Sequence, residues 1–159
     1  MATITKKRLQ DANNFAAECG NAVVQRYNLT TNSSGAVVNS DTATGIASGD
    51  KVRIGILPAG MCLDDALFIV SDAFTALVTA DIGFEYVDGV DSTDVPQDAD
   101  YFGTAITLHT AGRYPADNAT VRPVTLPKDA YLIVTTAGAA NAAVGVLDVV
   151  VWGEMIGVA

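Results

Sequence analysis

Aspartate is concentrated in one predicted loop, DGVDSTDVPQDAD, which contains Asp88, Asp91, Asp94, Asp98 and Asp100. Ca²⁺ binds several carboxylate and carbonyl oxygens at once, so Asp88, Asp91 and Asp94 are weak candidates for a calcium site. The segment lacks the aspartate and glycine spacing of an EF-hand loop. Aspartates also stabilise turns and cap helices without any metal. We therefore expect a solvated or partner-facing acidic edge here, with no metal and no cofactor.

Residues suited to catalysis are few and do not form a known motif. His109 is the one histidine, and the sequence has no Gly-x-Ser-x-Gly elbow to present a nucleophilic serine. A cupin-type metal site would need several histidines. Asp64 and Asp65 are adjacent, so on a strand they would point to opposite faces and make a poor carboxylate pair for glycoside hydrolysis. These patterns predict a protein that is not an enzyme.

Asp148 lies within the apolar run VGVLDVVVW. A carboxylate in a buried strand needs a partner or a position near the strand end. Lys51, Arg53 and Arg113 are the candidate partners. A structural ion pair is therefore a better interpretation of Asp148 than a catalytic acid.

Composition and charge exclude several classes of partner. Eighteen acidic residues against nine basic ones give a net charge of −9, which disfavours binding to nucleic acid or to anionic membranes. Only 17% of the residues are charged, against about 25% in an average domain, so we expect other copies or a partner to cover part of the surface. Neither a signal peptide nor a membrane span is evident, which predicts a soluble protein made in the cytoplasm. Cys19 and Cys62 form no metal-binding or disulfide pattern, and we expect both to be reduced.

The first twenty residues differ from the rest of the chain. Residues 1–20 contain the basic cluster Lys6, Lys7 and Arg8, followed by an Asn-rich stretch with Phe15 on a thin apolar face. Such a face would support only a marginal helix by itself. We expect an N-terminal arm or a short helix. The basic cluster is either an arm that reaches an acidic neighbour or a solubilising terminal run.

Residues 21–159 are predicted to form one β-sandwich domain. Residues 21–49 make a loop-rich first segment, with one strand in AVVQRYNL and then a polar tract rich in Gly, Ser, Thr and Asn. Strand patterns dominate from residue 50 onward. In DKVRIGIL, alternation places Val52, Ile54 and Ile56 on one face.

Several later segments complete the strand pattern. ADIGFEYVDG alternates Ile82, Phe84 and Tyr86 with smaller or polar residues, and GVLDVVVWGEM, apolar on both faces, is expected to be central. Pro123 restricts ATVRPVTL to an edge or a bulge, and Pro96 is expected to begin a helical turn before a strand near residues 105–109. About eight short strands without intervening long helices predict an all-β fold, an antiparallel β-sandwich and most simply a jelly roll.

Four segments, in order, resemble the capsid decoration, or cement, proteins of tailed bacteriophages: GDKVRIGILPAGMCLDDALFIVSDAF, ADIGFEYVDGVD, PQDADYF and LPKDAYLIVTTAGAANAAVGVLDVVVWGE. The resemblance covers roughly residues 50–154. It implies a jelly-roll structural protein of the virion, without enzyme activity. Such a protein would sit on the capsid surface, bind the major capsid protein and associate as a homodimer or homotrimer. It would be made in the cytoplasm of the host bacterium, and Lys6, Lys7, Arg8 and Phe15 would contact neighbouring subunits.

Two alternative functions remain at this stage. A phage tail or fibre-attachment module that binds host glycan would present exposed aromatic residues in loops, and Tyr101, Phe102 and Tyr114 are the candidates. A hydrolase on a β-sandwich would depend on His109 or Asp148.

Overall fold

A computed structural model describes residues 1–7 and 21–156 of the chain. Those residues form an all-β structure of two facing sheets. Among them, no helix is long and apolar enough to cross a membrane. The described strands are β1 Thr3–Thr5, β2 Ala22–Thr31, β3 Lys51–Leu57, β4 Met61–Asp72, β5 Thr79–Tyr86, β6 Asp98–Thr107, β7 Gly112–Pro115, β8 Val124–Thr125, β9 Ala130–Ala137 and β10 Gly145–Met155.

The strands wind as a jelly roll. One sheet has the order β1-β3-β9-β5-β6 and the other the order β2-β10-β4-β7, with the short β8 paired to β4. Antiparallel pairs nest inside one another along the chain, since β2 pairs with β10, β3 with β9, β4 with β7 and β5 with β6. Nested pairing of eight strands in two sheets is the pattern of a single long hairpin wrapped into a sandwich. The predicted antiparallel β-sandwich and jelly roll are thereby confirmed.

The core lies between the two sheets and follows the alternation of their strands. In β10, Leu147, Val149 and Val151 are fully buried while the residues between them are half-buried. In β5, Ile82, Phe84 and Tyr86 face the core, as the alternation predicts. The prediction that the last strand is central is also correct, because β10 lies between β2 and β4.

The predicted alternation in β3 is wrong after Arg53. The register with β9 shifts between Arg53 and Gly55, so Ile54 and Gly55 are both buried and Ile56 is only half-buried. Tyr27 from the facing sheet explains the position of the glycine. A Cβ atom at residue 55 would lie 2.0 Å from Cδ1 of the Tyr27 ring. The bulge therefore lets the ring pack directly on the β3 backbone.

The segment after the acidic loop also differs from its prediction. Residue 96 begins no helical turn, and β6 already starts at Asp98. Gly83 of β5 permits this pairing, because a Cβ atom there would lie 2.1 Å from the Asp98 carbonyl oxygen. The segment around Pro123 has the expected edge position, since the short β8 that follows it pairs with β4 alone among the described strands.

Candidate interaction surface

The acidic loop is stabilised by hydrogen bonds to other residues of the same chain. Lys128 Nζ donates to both carboxylate oxygens of Asp88, at 2.9 and 2.8 Å, and lies 4.6 Å from the centre of the Tyr86 ring. The hydrogen bond from Lys128 lowers the pKa of Asp88. Asp91 accepts hydrogen bonds from the backbone N–H groups of Ser92 and Gln97, at 2.8 and 2.7 Å. These contacts shape a turn in which Asp88 and Asp91 each have donors from the same chain.

Asp98 and Asp100 are two acidic residues of this region that interact directly with each other. Burial, followed by the side-chain contact with Asp100, raises the pKa of Asp98. The hydrogen bond from Asp98 lowers the pKa of Asp100, whose Oδ2 also accepts from Thr104 at 2.9 Å. Within residues 1–7 and 21–156, no three His, Cys, Asp or Glu side chains form a set of metal ligands, and Asp88, Asp91 and Asp94 are not brought together as one.

The candidate catalytic residues have local structural partners. His109 Nδ1 lies 3.0 Å from the carbonyl oxygen of Val78, which ties the loop after β6 to the start of β5. Asp148 accepts a hydrogen bond from Asn28 Nδ2 at 3.1 Å. His109 and Asp148 therefore have separate partners, a backbone carbonyl and a side-chain amide.

The predicted ion pair between Asp148 and Lys51, Arg53 or Arg113 is wrong. Lys51 and Arg53 lie on β3 of the opposite sheet, and both bind Glu85. Arg113 lies two strands from Asp148, because both residues are paired with Ile69 of the intervening β4.

An open cleft of about 490 Å³ lies between residues 94–98 and 120–124. Tyr101 contributes to its lining but is only 6% exposed, and its single hydroxyl proton is shared between the carbonyl oxygens of Leu63 and Arg122, which lie 3.1 and 2.9 Å from the hydroxyl oxygen. Burial raises the pKa of Tyr101 to about 12. Phe102 is also buried. The exposed aromatic platform that a glycan-binding module would need is therefore not present at these two residues.

The outer face of the β3-containing sheet carries a cluster of three paired charges, Lys51, Arg53 and Glu85. Lys51 Nζ and Arg53 Nε donate to the two carboxylate oxygens of Glu85, at 2.5 and 2.7 Å. Arg53 also stacks 4.5 Å from the centre of the Tyr131 ring. Burial acts to raise the pKa of Glu85, but the hydrogen bonds from the two cations outweigh it, and the net pKa is lowered. This face has the polar character expected of a sheet in contact with water.

The outer face of the β2-β10-β4-β7 sheet is different. Across its strands, Trp152 is paired with Val24 on one side, and Val150 is paired with Leu67 on the other. Val24 is 61% exposed, and the other three side chains are half-buried. We call the set Val24, Leu67, Ile69, Val150 and Trp152 the outer apolar face. Exposed apolar patches are a common feature of interaction sites, and the polar residues Asn28 and Asp148 lie on this same outer face beside the apolar set.

Two exposed charges near this face have no ion pair among the described residues. Arg26 follows Val24 on the same side of β2, and Glu154 follows Trp152 on the same side of β10. No ion pair involves either residue within the part of the chain that the structure describes. Sequence reasoning missed this surface because it attributed the apolar outer residues of β10 to burial on both faces.

The basic cluster begins at the edge of the sandwich. β1 pairs in parallel with β3, and Lys6 Nζ donates to the Asn28 carbonyl oxygen at 2.6 Å. The Lys7 side chain is exposed. Arg8 and Phe15, the other two predicted partner contacts, lie outside the described residues, as does Cys19. Cys62 is a free thiol whose pKa is raised first by burial.

Comparisons with known proteins give structural matches only. No protein-family model and no curated protein matches the sequence. A chain from the capsid of Ralstonia phage GP4 superimposes with a TM-score of 0.68 at 16% identity, over 96% of this chain and 97% of that one. A chain of the cyanophage Pam1 capsid asymmetric unit gives 0.59 at 17% identity, over 87% and 88% of the two chains. A chain of the acid-stable capsid of Helicobacter pylori bacteriophage KHP30 gives 0.51 at 14% identity, over 83% and 86%. At these identities, the matches show that the chains share a fold.

Proposed function

We propose that this chain is a structural virion protein that binds the outer surface of a bacteriophage capsid and stabilises it by bridging major capsid protein subunits. The observation that carries the proposal is the match over almost the full length of both chains with a chain of the Ralstonia phage GP4 capsid. Two matches to other phage capsids agree with it. In this proposal the partners are the major capsid protein and further copies of this chain, and the location is the capsid surface.

The described surface supports a role in binding rather than in catalysis. His109 and Asp148 each contact a different local partner, and Lys51, Arg53 and Glu85 of one outer face pair with one another. The other outer face exposes apolar side chains. A protein that reinforces a shell needs a stiff body and interfaces repeated at every equivalent site, because repetition turns modest contacts into strong retention.

We further propose that the N-terminal segment contacts the neighbouring capsid subunits through Lys6, Lys7, Arg8 and Phe15. Lys6 contributes mainly by fixing the start of the segment, since its ammonium group binds the Asn28 carbonyl of this chain. Lys7 is exposed at the point where the chain leaves β1. A cationic segment on a protein of net charge −9 is suited to an acidic patch on the shell.

The test is binding of the purified protein to shells that lack it, measured by co-sedimentation. Wild-type protein should saturate the shells and raise the temperature at which they release their contents. Replacing both Lys7 and Arg8 by Glu, which leaves β1 intact, should weaken binding by about tenfold or more. The matched control is Arg122→Glu, a charge reversal at an exposed residue outside the N-terminal segment.

Each result bears on a different statement. Failure of the wild-type protein to bind shells at any accessible concentration would overturn the proposed function. Equal affinity of the Lys7/Arg8 variant and the control would overturn the role of the segment while leaving capsid binding in place.

A further inference from the structure

Four loops at one end of the sandwich contain no charged residue. They lie together because the last residue of β2 is paired with the first of β10, the last residue of β9 is paired with the first of β5, and β3 begins beside the end of β9. We call them the neutral end: residues 32–36, 42–49, 73–78 and 138–144. None of these residues is Asp, Glu, Lys, Arg or His, in a chain of net charge −9. A fifth loop at this end contains His109, whose ring contacts the Val78 carbonyl, and the acidic loop lies at the opposite end.

A buried asparagine joins the four loops into one unit. Asn141 is 3% exposed, and its side-chain oxygen accepts from both the backbone N–H and the hydroxyl of Thr75, at 3.0 Å each. Its side-chain amide donates to Thr31 Oγ1 at 3.0 Å, and its backbone N–H donates to the Ile46 carbonyl at 2.8 Å. A Cβ atom at Gly35 would lie 2.0 Å from the Asn141 carbonyl oxygen, so the first loop packs directly on this residue. The surface is therefore formed before a partner arrives, which lowers the entropic cost of binding.

Leu77 is exposed at the neutral end in a conformation that leucine rarely adopts. The residue is 69% exposed and its φ is 70°. A tight turn fixes this φ, since Val78 N–H donates to the Thr75 carbonyl at 3.1 Å and a Cβ atom at Gly138 would lie 2.1 Å from the Leu77 carbonyl oxygen. Left-handed backbone favours Gly, Asn and Asp, so leucine is unfavourable here both for the backbone and for its contact with water. Both costs are explained if a second molecule covers this side chain.

Leu77 is also remote from the residues that adjoin undescribed segments. Lys7 lies beside β1, which is three strands from β5 in its sheet. Asn21 and Ile156 lie at the opposite end of the sandwich, where the Asn21 carbonyl accepts from Met155 N–H at 2.8 Å and Ile156 N–H donates to the carbonyl of the β3–β4 turn at 2.9 Å. The exposed position of Leu77 therefore belongs to a well-described part of the chain.

A surface of small residues lies beside Leu77. The exposed residues of the neighbouring loop are Gly138, Ala140, Ala142 and Val144. The neutral end thus carries a projecting leucine and, next to it, a floor on which a leucine can pack. A two-fold interface is made by one patch that is complementary to itself, so that each contact occurs twice. A projection and a floor side by side on one rigid end satisfy this requirement.

We propose that the neutral end is a homodimer interface, in which Leu77 of each copy packs on residues 138–144 of the other around a two-fold axis. This inference rests on the proposed function and names the surface through which copies associate on the shell. The association of free protein is expected to be weak and concentration-dependent, because the interface consists of loops rather than a full sheet face. On a shell, repetition of the sites would strengthen it.

Electrostatics favours a second copy as the occupant. Two copies that each carry a net charge of −9 repel each other, and the repulsion is lowest where the facing loops have no carboxylates. In sequence, the carboxylates that adjoin these loops are Asp41, Asp50 and Asp72. Asp50 is buried and accepts from the backbone N–H groups of Ala2 and Ala47, at 2.6 and 2.9 Å. Contact through the acidic loops of the opposite end would instead bring exposed aspartates face to face.

The first test is a substitution that separates folding from association. Asparagine suits a positive φ, so Leu77→Asn should have a free energy of unfolding equal to or above that of wild type. Sedimentation of wild type over a range of concentrations should show a monomer of 16.4 kDa in equilibrium with a dimer. Leu77→Asn should raise the dissociation constant at least about tenfold. The matched control, Val90→Asn, changes a valine that is 62% exposed at the opposite end and should leave the constant unchanged.

Three results of this test would overturn the inference. The first is a wild type that stays monomeric up to millimolar concentration. The second is a Leu77→Asn protein that associates as wild type does. The third is a Leu77→Asn protein that unfolds more easily than wild type, because Leu77 would then serve the fold.

The second test locates the interface by nuclear magnetic resonance and leaves Leu77 unchanged. A nitroxide is attached at Ser48→Cys, an exposed position of the neutral end, after both native cysteines have been changed to Ser. When this protein is mixed with isotope-labelled wild type, the amide signals of residues 138–144 in the wild-type copies should broaden. A nitroxide at Val90→Cys is the matched control and should leave those signals sharp. Equal broadening by the two labels, or broadening only elsewhere, would contradict the end-to-end arrangement.

Shell binding distinguishes failure of this inference from failure of the proposed function. A monomeric Leu77→Asn protein that binds shells with less retention than wild type would support both statements. A wild-type dimer without affinity for shells would overturn the proposed function and leave the interface in place. If wild type is monomeric and its binding to shells depends on Leu77, the neutral end faces the shell, and the pairing of copies is overturned.

Discussion

Glu85 on β5 is expected to stabilise the fold through its ion pairs with two residues of β3, which reach across the intervening strand β9. Its side chain is 14% exposed, and its two cationic partners, Lys51 and Arg53, are 22% and 31% exposed. Changing Glu85 to Gln keeps the shape but removes the charge that both cations share. Hydrogen bonds to a charged group contribute roughly 1.5–3 kcal/mol each in favourable cases. Because both cations can still reach water, we expect a total loss of about 2 kcal/mol in the free energy of unfolding.

The pH dependence of the stability difference between wild type and Glu85→Gln shows whether the charge of Glu85 causes it. The folded-state pKa of Glu85 is lowered, so its contribution is complete above the unfolded-state pKa of about 4.3 and is lost as the pH falls through the folded-state value. Urea unfolding should therefore separate wild type and Glu85→Gln at pH 7 and show them converging in strong acid. Asp94→Asn, at an exposed residue, is the matched control and should stay within about 0.5 kcal/mol of wild type. A gap that is independent of pH would refute the electrostatic explanation.

Three further predictions concern the β5–β6 side of the sandwich. Gly83→Ala should cost about 3 kcal/mol in urea unfolding, because the added carbon would lie 2.1 Å from a backbone oxygen of β6. Tyr101→Phe should cost about 1–2 kcal/mol, since the two backbone carbonyls beside it lose the one O–H donor that they share, whereas Tyr114→Phe, whose hydroxyl bond is exposed, should cost less. The free energy of unfolding of Asp98→Asn should rise relative to that of wild type as the pH rises through the raised pKa of Asp98, because wild type must then ionise this carboxyl group beside Asp100. If the two free energies changed in parallel from pH 3 to 7, this explanation would be contradicted.

Local pattern was sufficient for most of the strands. The alternation of Ile82, Phe84 and Tyr86 predicts their burial correctly, and the apolar run after Gly145 correctly predicts a central strand. Both signals come from residues that are neighbours in sequence. Alternation of apolar and polar residues along a strand can be recognised without knowing where the rest of the chain lies, which is why these predictions succeed.

Errors arose where a distant residue decides the local geometry. The β3 bulge depends on the ring of Tyr27, which lies in the other sheet, and the early start of β6 depends on the missing side chain of Gly83. The hydrogen-bond partner of Asp148 could not be predicted either, because the sequence does not reveal that Asn28 is its cross-strand neighbour. The same limit applies to the outer apolar face, whose residues come together only when β2, β10 and β4 are side by side.

The position of β10 has a consequence for how this protein is made. Of the described strands, β10 is translated last, yet it is the strand that joins β2 to β4. While the ribosome is still extending the chain, β2 and β4 have no common neighbour, and their core-facing side chains stay uncovered. Such nascent chains are prone to aggregate. We therefore expect assembly of this sheet to wait for synthesis of β10, and yield in cells to depend on temperature and chaperone supply more than the stability of the finished fold would suggest.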